Sequence, residues 1–143
     1  MEEGKVVVDA SVVVKWFLEE EFSDCALRLR DNYINRIVVI VAPSLLEYEV
    51  LNALRFSGVY TIDELKEIGR ALNKYGFEIY DFEGDLKDLA VDIALKSNTT
   101  IYDASYIALA KKLNTVLYTA DNELIQKFPE IAVHIKQYPA KHR

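Results

Sequence analysis

The sequence is poor in the residues that carry most familiar chemistries. It has one cysteine, Cys25, and two histidines, His134 and His142, both late in the chain. A lone thiol closes no internal disulfide, and the expected compartment is the reducing cytosol. Cys25 stands in the run Cys25-Ala26-Leu27, which reads as the packing face of a helix and not as a nucleophile or redox sensor. One cysteine and two histidines do not make a zinc ligand set, and a histidine-based mechanism is not expected. There is no Gly-rich phosphate loop and no Gly-x-Ser-x-Gly elbow. Long apolar runs are missing too. The stretch Ile37 to Ala42 falls far short of the roughly 20 residues that span a bilayer. The opening Met-Glu-Glu-Gly-Lys, which soon reaches Asp9, lacks the basic start and apolar core of a signal peptide. A cytoplasmic location and no membrane partner are expected. The net charge of −6 counts against a broad basic face that would grip nucleic acid through its phosphates. It leaves room for a site that recruits metal cations.

What is present suits a folded domain. Of 143 residues, 51% are hydrophobic and 28% charged, enough apolar surface for one core. No composition break, Pro/Gly/Ser linker or internal repeat divides the chain. The expectation is one domain over residues 1–143, its core about 5–135, followed by the short basic tail Lys141-His142-Arg143.

Short apolar runs alternate with helical patterns. Strands are predicted at Lys5–Val8, Ile37–Val41, Phe77–Tyr80, Val116–Tyr118 and, at an edge, Ile131–Ile135. Helices are predicted over Ala10–Leu18, capped by Asp9 or Ser11, and over Ser23–Tyr33. Ser44–Phe56 follows, with Pro43 placed for a first helical turn and Gly58 as its stop. Thr61 and Glu64 have capping-box spacing and open a helix to Lys74, which Gly76 ends. Gly84–Lys96, Ala104–Leu113 starting at Asp103, and Asn122–Lys127 complete the set. Strands alternating with helices favour an α/β fold with a parallel sheet covered on both faces.

The acids are informative because of where they fall. Asp9 directly follows the first strand, and Asp121 follows the fourth with Thr119 and Ala120 between. Ligands of parallel sheets collect beyond the carboxyl ends of the strands, so two such acids can share a cleft. Asp103 adds a third, at the start of an apolar helix. Each could instead merely cap a helix or turn. Gathered carboxylates repel, and a hard divalent cation such as Mg²⁺ or Mn²⁺ reverses that cost. Glu47 and Glu49 are two apart on a helix and point differently, whereas Glu49 and Asn52, three apart, can face one place.

Four segments together resemble the PIN-domain family, and more specifically the VapC-type toxins of toxin-antitoxin pairs. They are Val6-Val7-Val8-Asp9-Ala10-Ser11 through Lys15-Trp16-Phe17, Ala42-Pro43 through Tyr48-Glu49-Val50-Leu51-Asn52-Ala53-Leu54, Tyr102-Asp103-Ala104-Ser105-Tyr106-Ile107-Ala108, and Leu117-Tyr118-Thr119-Ala120-Asp121-Asn122-Glu123-Leu124. They occur in order over nearly the whole chain.

The resemblance implies a three-layer α/β/α domain with a central, mainly parallel sheet. It implies Asp9, Glu49, Asp103 and Asp121 as catalytic acids and metal ligands for one or two Mg²⁺ or Mn²⁺ ions. Ser11 and Thr119 match its small hydroxyl positions, and Asn52 is a further candidate for the pocket. The implied activity is metal-dependent hydrolysis of RNA, leaving 5′-phosphate and 3′-hydroxyl ends. The implied partners are RNA, a small VapB-like antitoxin and a second copy of the chain. Among the cations, Lys15 lies nearest the first motif and is the favoured contact for the RNA backbone. Trp16 and Phe17 are expected in a core or dimer surface ahead of stacking on bases. Alternatives are a PIN nuclease that matures RNA without an antitoxin, and an inactive RNA- or protein-binding module.

Overall fold

The computed structural model describes residues 4–139; the tail Lys141-His142-Arg143 lies outside them. Five strands form one sheet: β1 (Gly4–Val8), β2 (Val38–Pro43), β3 (Glu78–Tyr80), β4 (Leu117–Thr119) and β5 (Ala132–His134). Their order is β3-β2-β1-β4-β5, and every neighbouring pair is parallel. The chain winds from β1 out to β3, then returns to the other side of β1 for β4 and β5. The direction therefore reverses between β1 and β4. A cleft opens there at the carboxyl ends of the strands, because the connecting segments leave in opposite directions.

Helices cover the sheet to give three layers, α/β/α. They are α1 (Ala10–Val13), α2 (Ser23–Ile34), α3 (Leu46–Ser57), α4 (Ile62–Tyr75), α5 (Gly84–Ser97), α6 (Ile101–Lys112) and α7 (Asn122–Lys127). Helix α6 lies across β1, β2 and β4 and has α5 packed on it. That placement explains its unusual composition. Seven consecutive residues, Ala104 to Ala110, are buried, so it is apolar on all sides instead of along one stripe. The central strands are equally dry: Val7, Val8, Ile40, Val41 and Leu117 are fully buried. No helix among the described residues is long and apolar enough to cross a membrane.

The helix punctuation follows local chemistry. The Thr61 hydroxyl accepts the Glu64 N–H while the Glu64 carboxylate accepts the Thr61 N–H, closing the capping box that opens α4. Gly58 and Gly76 end α3 and α4 with φ of 73° and 65°, where a Cβ would strain the backbone.

Three expectations are corrected. The first helix does not reach Leu18. It gives way after Val13 to a 3₁₀ turn, Val14–Trp16. Three successive valines lose rotamer freedom in an α-helix. Here the tighter turn carries Trp16 inward, its indole N–H donating to the Ala26 carbonyl at 2.9 Å and its ring meeting Tyr75 and Phe77. Trp16 is thus a core residue. Pro43 opens no helix; it ends β2, opposite Tyr80. Because proline has no N–H to give the ladder, the Ser44 N–H makes the next bond to the Tyr80 carbonyl at 3.2 Å, and α3 begins at Leu46. Asp103 does not start α6. Thr100 caps that helix, its hydroxyl accepting the Asp103 N–H at 3.0 Å.

Candidate active site

Each motif acid reaches the switch-point cleft from a different element. Asp9 is the residue after β1 and is buried. One carboxylate oxygen caps α1 by accepting the Ser11 N–H at 3.1 Å, and also accepts the Ser11 hydroxyl at 2.5 Å. The other accepts the Thr119 hydroxyl at 2.5 Å. Ser11 Oγ in turn accepts the Ala120 N–H at 2.8 Å, and Thr119 Oγ1 the Asp121 N–H at 3.0 Å. Two small hydroxyls thus tie the end of β1 to the end of β4 and hold one carboxylate in a single orientation. Burial pushes the Asp9 carboxyl up to about 6 against the pull of these bonds, and the nearby Asp121 charge adds to the push.

Glu49 comes from α3, half-buried, and accepts the Tyr106 hydroxyl at 2.7 Å. Burial raises its pKa, the Tyr106 bond opposes this, and the Asp103 charge raises it further. Asp103 is in the first turn of α6, where the Thr100 cap occupies its backbone N–H and leaves the carboxylate for the cleft. Burial raises its pKa, with Asp121 and Glu123 acting in the same sense and Lys127 against. Asp121 uses one oxygen to cap α7, accepting the Glu123 and Leu124 N–H groups at 2.9 and 3.4 Å. The capping reading therefore applies to Asp9 and Asp121, each of which also faces the cleft, and fails for Asp103.

These four acids line one cleft of about 290 Å³, together with Ser11, Asn52 and Tyr106. Glu49 and Asn52 enter it and Glu47 does not, as their helical spacing requires. Thr119 stands behind it, bonded to Asp9. Lys15 is absent from its lining. The Lys15 side chain is buried and pairs with Glu20 at 3.4 Å, so it is not presented to the cleft. The 3₁₀ turn that buries Trp16 buries Lys15 with it. His134 is also taken up by the fold, its Nδ1 accepting the Lys136 N–H and its ring edge-on to Phe22.

The donor set is all carboxylate oxygen with one amide, the chemistry that hard divalent cations prefer. Among the described residues, no three carboxylate, histidine or cysteine side chains stand as a ready-made metal-holding group. The acids share a cleft and feel one another's charge, but their oxygens do not yet converge. Asp9 is held in place by Ser11 and Thr119, and Glu49 by Tyr106.

Sequence reasoning missed Tyr106. It lies three residues after Asp103 on α6, a spacing that puts both on one face, and that was the available signal. Burial and the Glu49 charge hold its phenol pKa well above the usual range, so the hydroxyl remains a donor. Tyr106→Phe should leave the fold intact and free Glu49 to turn. The expected result is a several-fold rise in the Mn²⁺ concentration that half-saturates binding, read by calorimetry. An unchanged value would show that the 2.7 Å bond does not orient Glu49.

A parallel sheet with carboxylates gathered at its switch point defines a class, and comparison with known proteins places the chain in it. The PIN domain family model matches residues 6–131. The chain is 33% identical over 132 residues to Ribonuclease VapC3 of Pyrobaculum aerophilum, which covers 89% of this chain and 97% of that protein. The crystal structure of PAE2754, also from Pyrobaculum aerophilum, is 25% identical with a TM-score of 0.64, covering 90% of this chain and 83% of that one. A toxin-antitoxin complex from Klebsiella pneumoniae contains a chain with a TM-score of 0.65 at 16% identity, covering 91% and 97%; at that identity the likeness is one of fold. The chain belongs to the PIN-domain family. Within it, the chain is closely related to the VapC-type toxins of toxin-antitoxin systems.

Proposed function

We propose that this chain is a Mg²⁺- or Mn²⁺-dependent endoribonuclease and the toxin of a toxin-antitoxin pair. One observation carries the reading: Asp9, Glu49, Asp103 and Asp121, from four separate segments, line one cleft where the strand order reverses. Kinship with a VapC ribonuclease supports RNA as the substrate.

When bound, the divalent cation supplies Lewis acidity, lowering the pKa of a water and neutralising charge that develops on the phosphoryl oxygens. The residues that would hold it are Asp9, Glu49 and Asp103, with Asp121 contacting the cation or its waters. Ser11 and Thr119 keep Asp9 from rotating, and Tyr106 does the same for Glu49. Asn52 presents an amide to the same cleft, suited to orient a phosphate or ribose oxygen. Attack by water on phosphorus leaves a 5′-phosphate and a 3′-hydroxyl.

The protein partners belong to the same proposal. Phe56, Val59 and Ile62, around the turn from α3 to α4, are strongly exposed apolar side chains. Such a patch suits coverage by an antitoxin or a second copy. The whole of residues 1–143 acts as one domain in this reading.

The test is incubation of the purified protein with a total-RNA pool in Mn²⁺, Mg²⁺ or EDTA, followed by sequencing of new 5′ ends. Discrete new 5′-phosphate ends with either metal, and none in EDTA, are expected. Cleavage undiminished by EDTA would overturn the metal reading. No cleavage under any condition would overturn the nuclease.

A further inference from the structure

The acid cleft continues into a second groove. This groove, about 470 Å³, shares Glu49 and Asn52 with the cleft and is otherwise lined by Leu45, Tyr48 and Tyr102. Tyr48 stands on α3 and is 80% exposed; Tyr102, in the first turn of α6, is 64% exposed. Tyr48 and Asn52 then border a third groove, between α3 and α4, which carries Arg55 and Lys66. The three meet at Asn52, which lines each of them: one carries carboxylates, one aromatic rings and one cations.

That combination says what the grooves can hold. No Lys or Arg lines the acid cleft or the tyrosine groove among the described residues. The whole chain carries a net charge of −6. The side-chain cations that line the three grooves, Arg55 and Lys66, both stand in the third. Beside the acids the lining offers a polyanion no Lys or Arg, so other side chains add to its hold there. Aromatic rings supply that hold for unpaired nucleic acid, because every base has a face to stack. The Asn52 amide, between cleft and groove, has donors and an acceptor for a base edge.

We infer that Tyr48 and Tyr102 form a base-stacking subsite for unpaired nucleobases of single-stranded RNA next to the phosphate presented to the acids. Arg55 and Lys66 take the phosphates that follow. The inference rests on the nuclease reading above and adds to it the side chains that would seat the bases. A duplex keeps its bases stacked on each other and offers these rings no face. Cations in the adjoining groove favour a phosphate-bearing strand over an apolar peptide, which would leave Arg55 and Lys66 unused.

The test reads binding, not cleavage. The full chain carrying Asp103→Asn is titrated in Mg²⁺ with a short single-stranded RNA that has 2-aminopurine at its centre, whose fluorescence falls on stacking. Quenching on binding is expected. Tyr48→Leu and Tyr102→Leu should each weaken the Kd about tenfold and reduce the quench, while Tyr48→Phe and Tyr102→Phe retain both. The same strand annealed to its complement should bind more weakly. A double leucine variant with unchanged affinity and quench would overturn the subsite. So would loss of self-association in the leucine variants, by sedimentation, with RNA affinity intact; the rings would then belong to a contact between copies. A wild-type chain that quenches but never cuts supports the subsite and defeats the nuclease reading. One that cuts without quenching overturns the subsite alone.

Discussion

Asp103→Asn is expected to reduce metal-dependent RNA cleavage by on the order of 10³-fold or more while leaving the fold unchanged. The two halves of this expectation have separate causes. The Asp103 side chain does not cap α6; Thr100 does, through the Asp103 backbone N–H, which asparagine keeps. The carboxylate is half-buried among other acids, and its proton affinity is raised by burial and by Asp121 and Glu123. Loss of that charge relieves repulsion, so the metal-free variant should be no less stable than the parent. Activity falls because a neutral amide is a poor ligand for a hard cation and offers no compensating charge. Cleavage rate and urea denaturation, measured on the same preparation, check both halves. A folded Asp103→Asn protein with full activity would remove Asp103 from the reaction.

The second large effect concerns the metal-free protein. Burial places the folded Asp9 carboxyl at about 6, against an ordinary value of 3.8. The fold therefore favours the neutral acid. Its contribution to stability is whole below about pH 3.8 and is lost as the pH rises through about 6. A shift of this size corresponds to a loss on the order of 3 kcal/mol for Asp9 by pH 8. Glu49 and Asp103 shift in the same direction and deepen the trend. His134, whose pKa burial lowers, works the other way below its ordinary range, so the parent's own pH profile is mixed. Comparison with Asp9→Asn isolates the carboxylate. The asparagine amide can still sit between Ser11 and Thr119, because both hydroxyls can reverse their donor and acceptor roles. In EDTA the variant should be more stable than the parent at pH 8, with the gap closing towards pH 4. Mn²⁺ at pH 8 should raise the melting temperature of the parent by on the order of 5 °C or more, and that of the variant far less. A gap that does not change with pH would show that Asp9 is not held against its charge.

Much of this site could be read from residue order alone because its acids follow strands. Asp9 and Asp121 come after apolar runs too short to be anything but buried strands, and parallel pairing puts both at one end of the sheet. Glu49 with Asn52 follows from helical spacing. What stayed hidden needs tertiary knowledge. Thr100 and Asp103 are both good caps, and nothing local decides between them; the helix starts earlier because Ile101 and Tyr102 extend it. Pro43 fits a first helical turn as well as a strand end, and its place is settled by pairing with Tyr80, 37 positions later. Lys15 looks like a surface cation in a valine-rich segment, but the 3₁₀ turn rotates it inward with Trp16. Tyr106 reads as one more apolar residue in a buried helix. Its hydroxyl matters only because α3 brings Glu49 within 2.7 Å.

Everything functional depends on four carboxylates from distant parts of the chain closing on a shared cation. The direct measurement is a crystal of the protein grown with Mn²⁺, with anomalous scattering recorded at the manganese edge. A peak bounded by the Asp9, Glu49 and Asp103 oxygens, gone in Asp103→Asn crystals, is the predicted result. A well-ordered cleft with no anomalous peak at saturating Mn²⁺, or manganese bound only elsewhere, would contradict it.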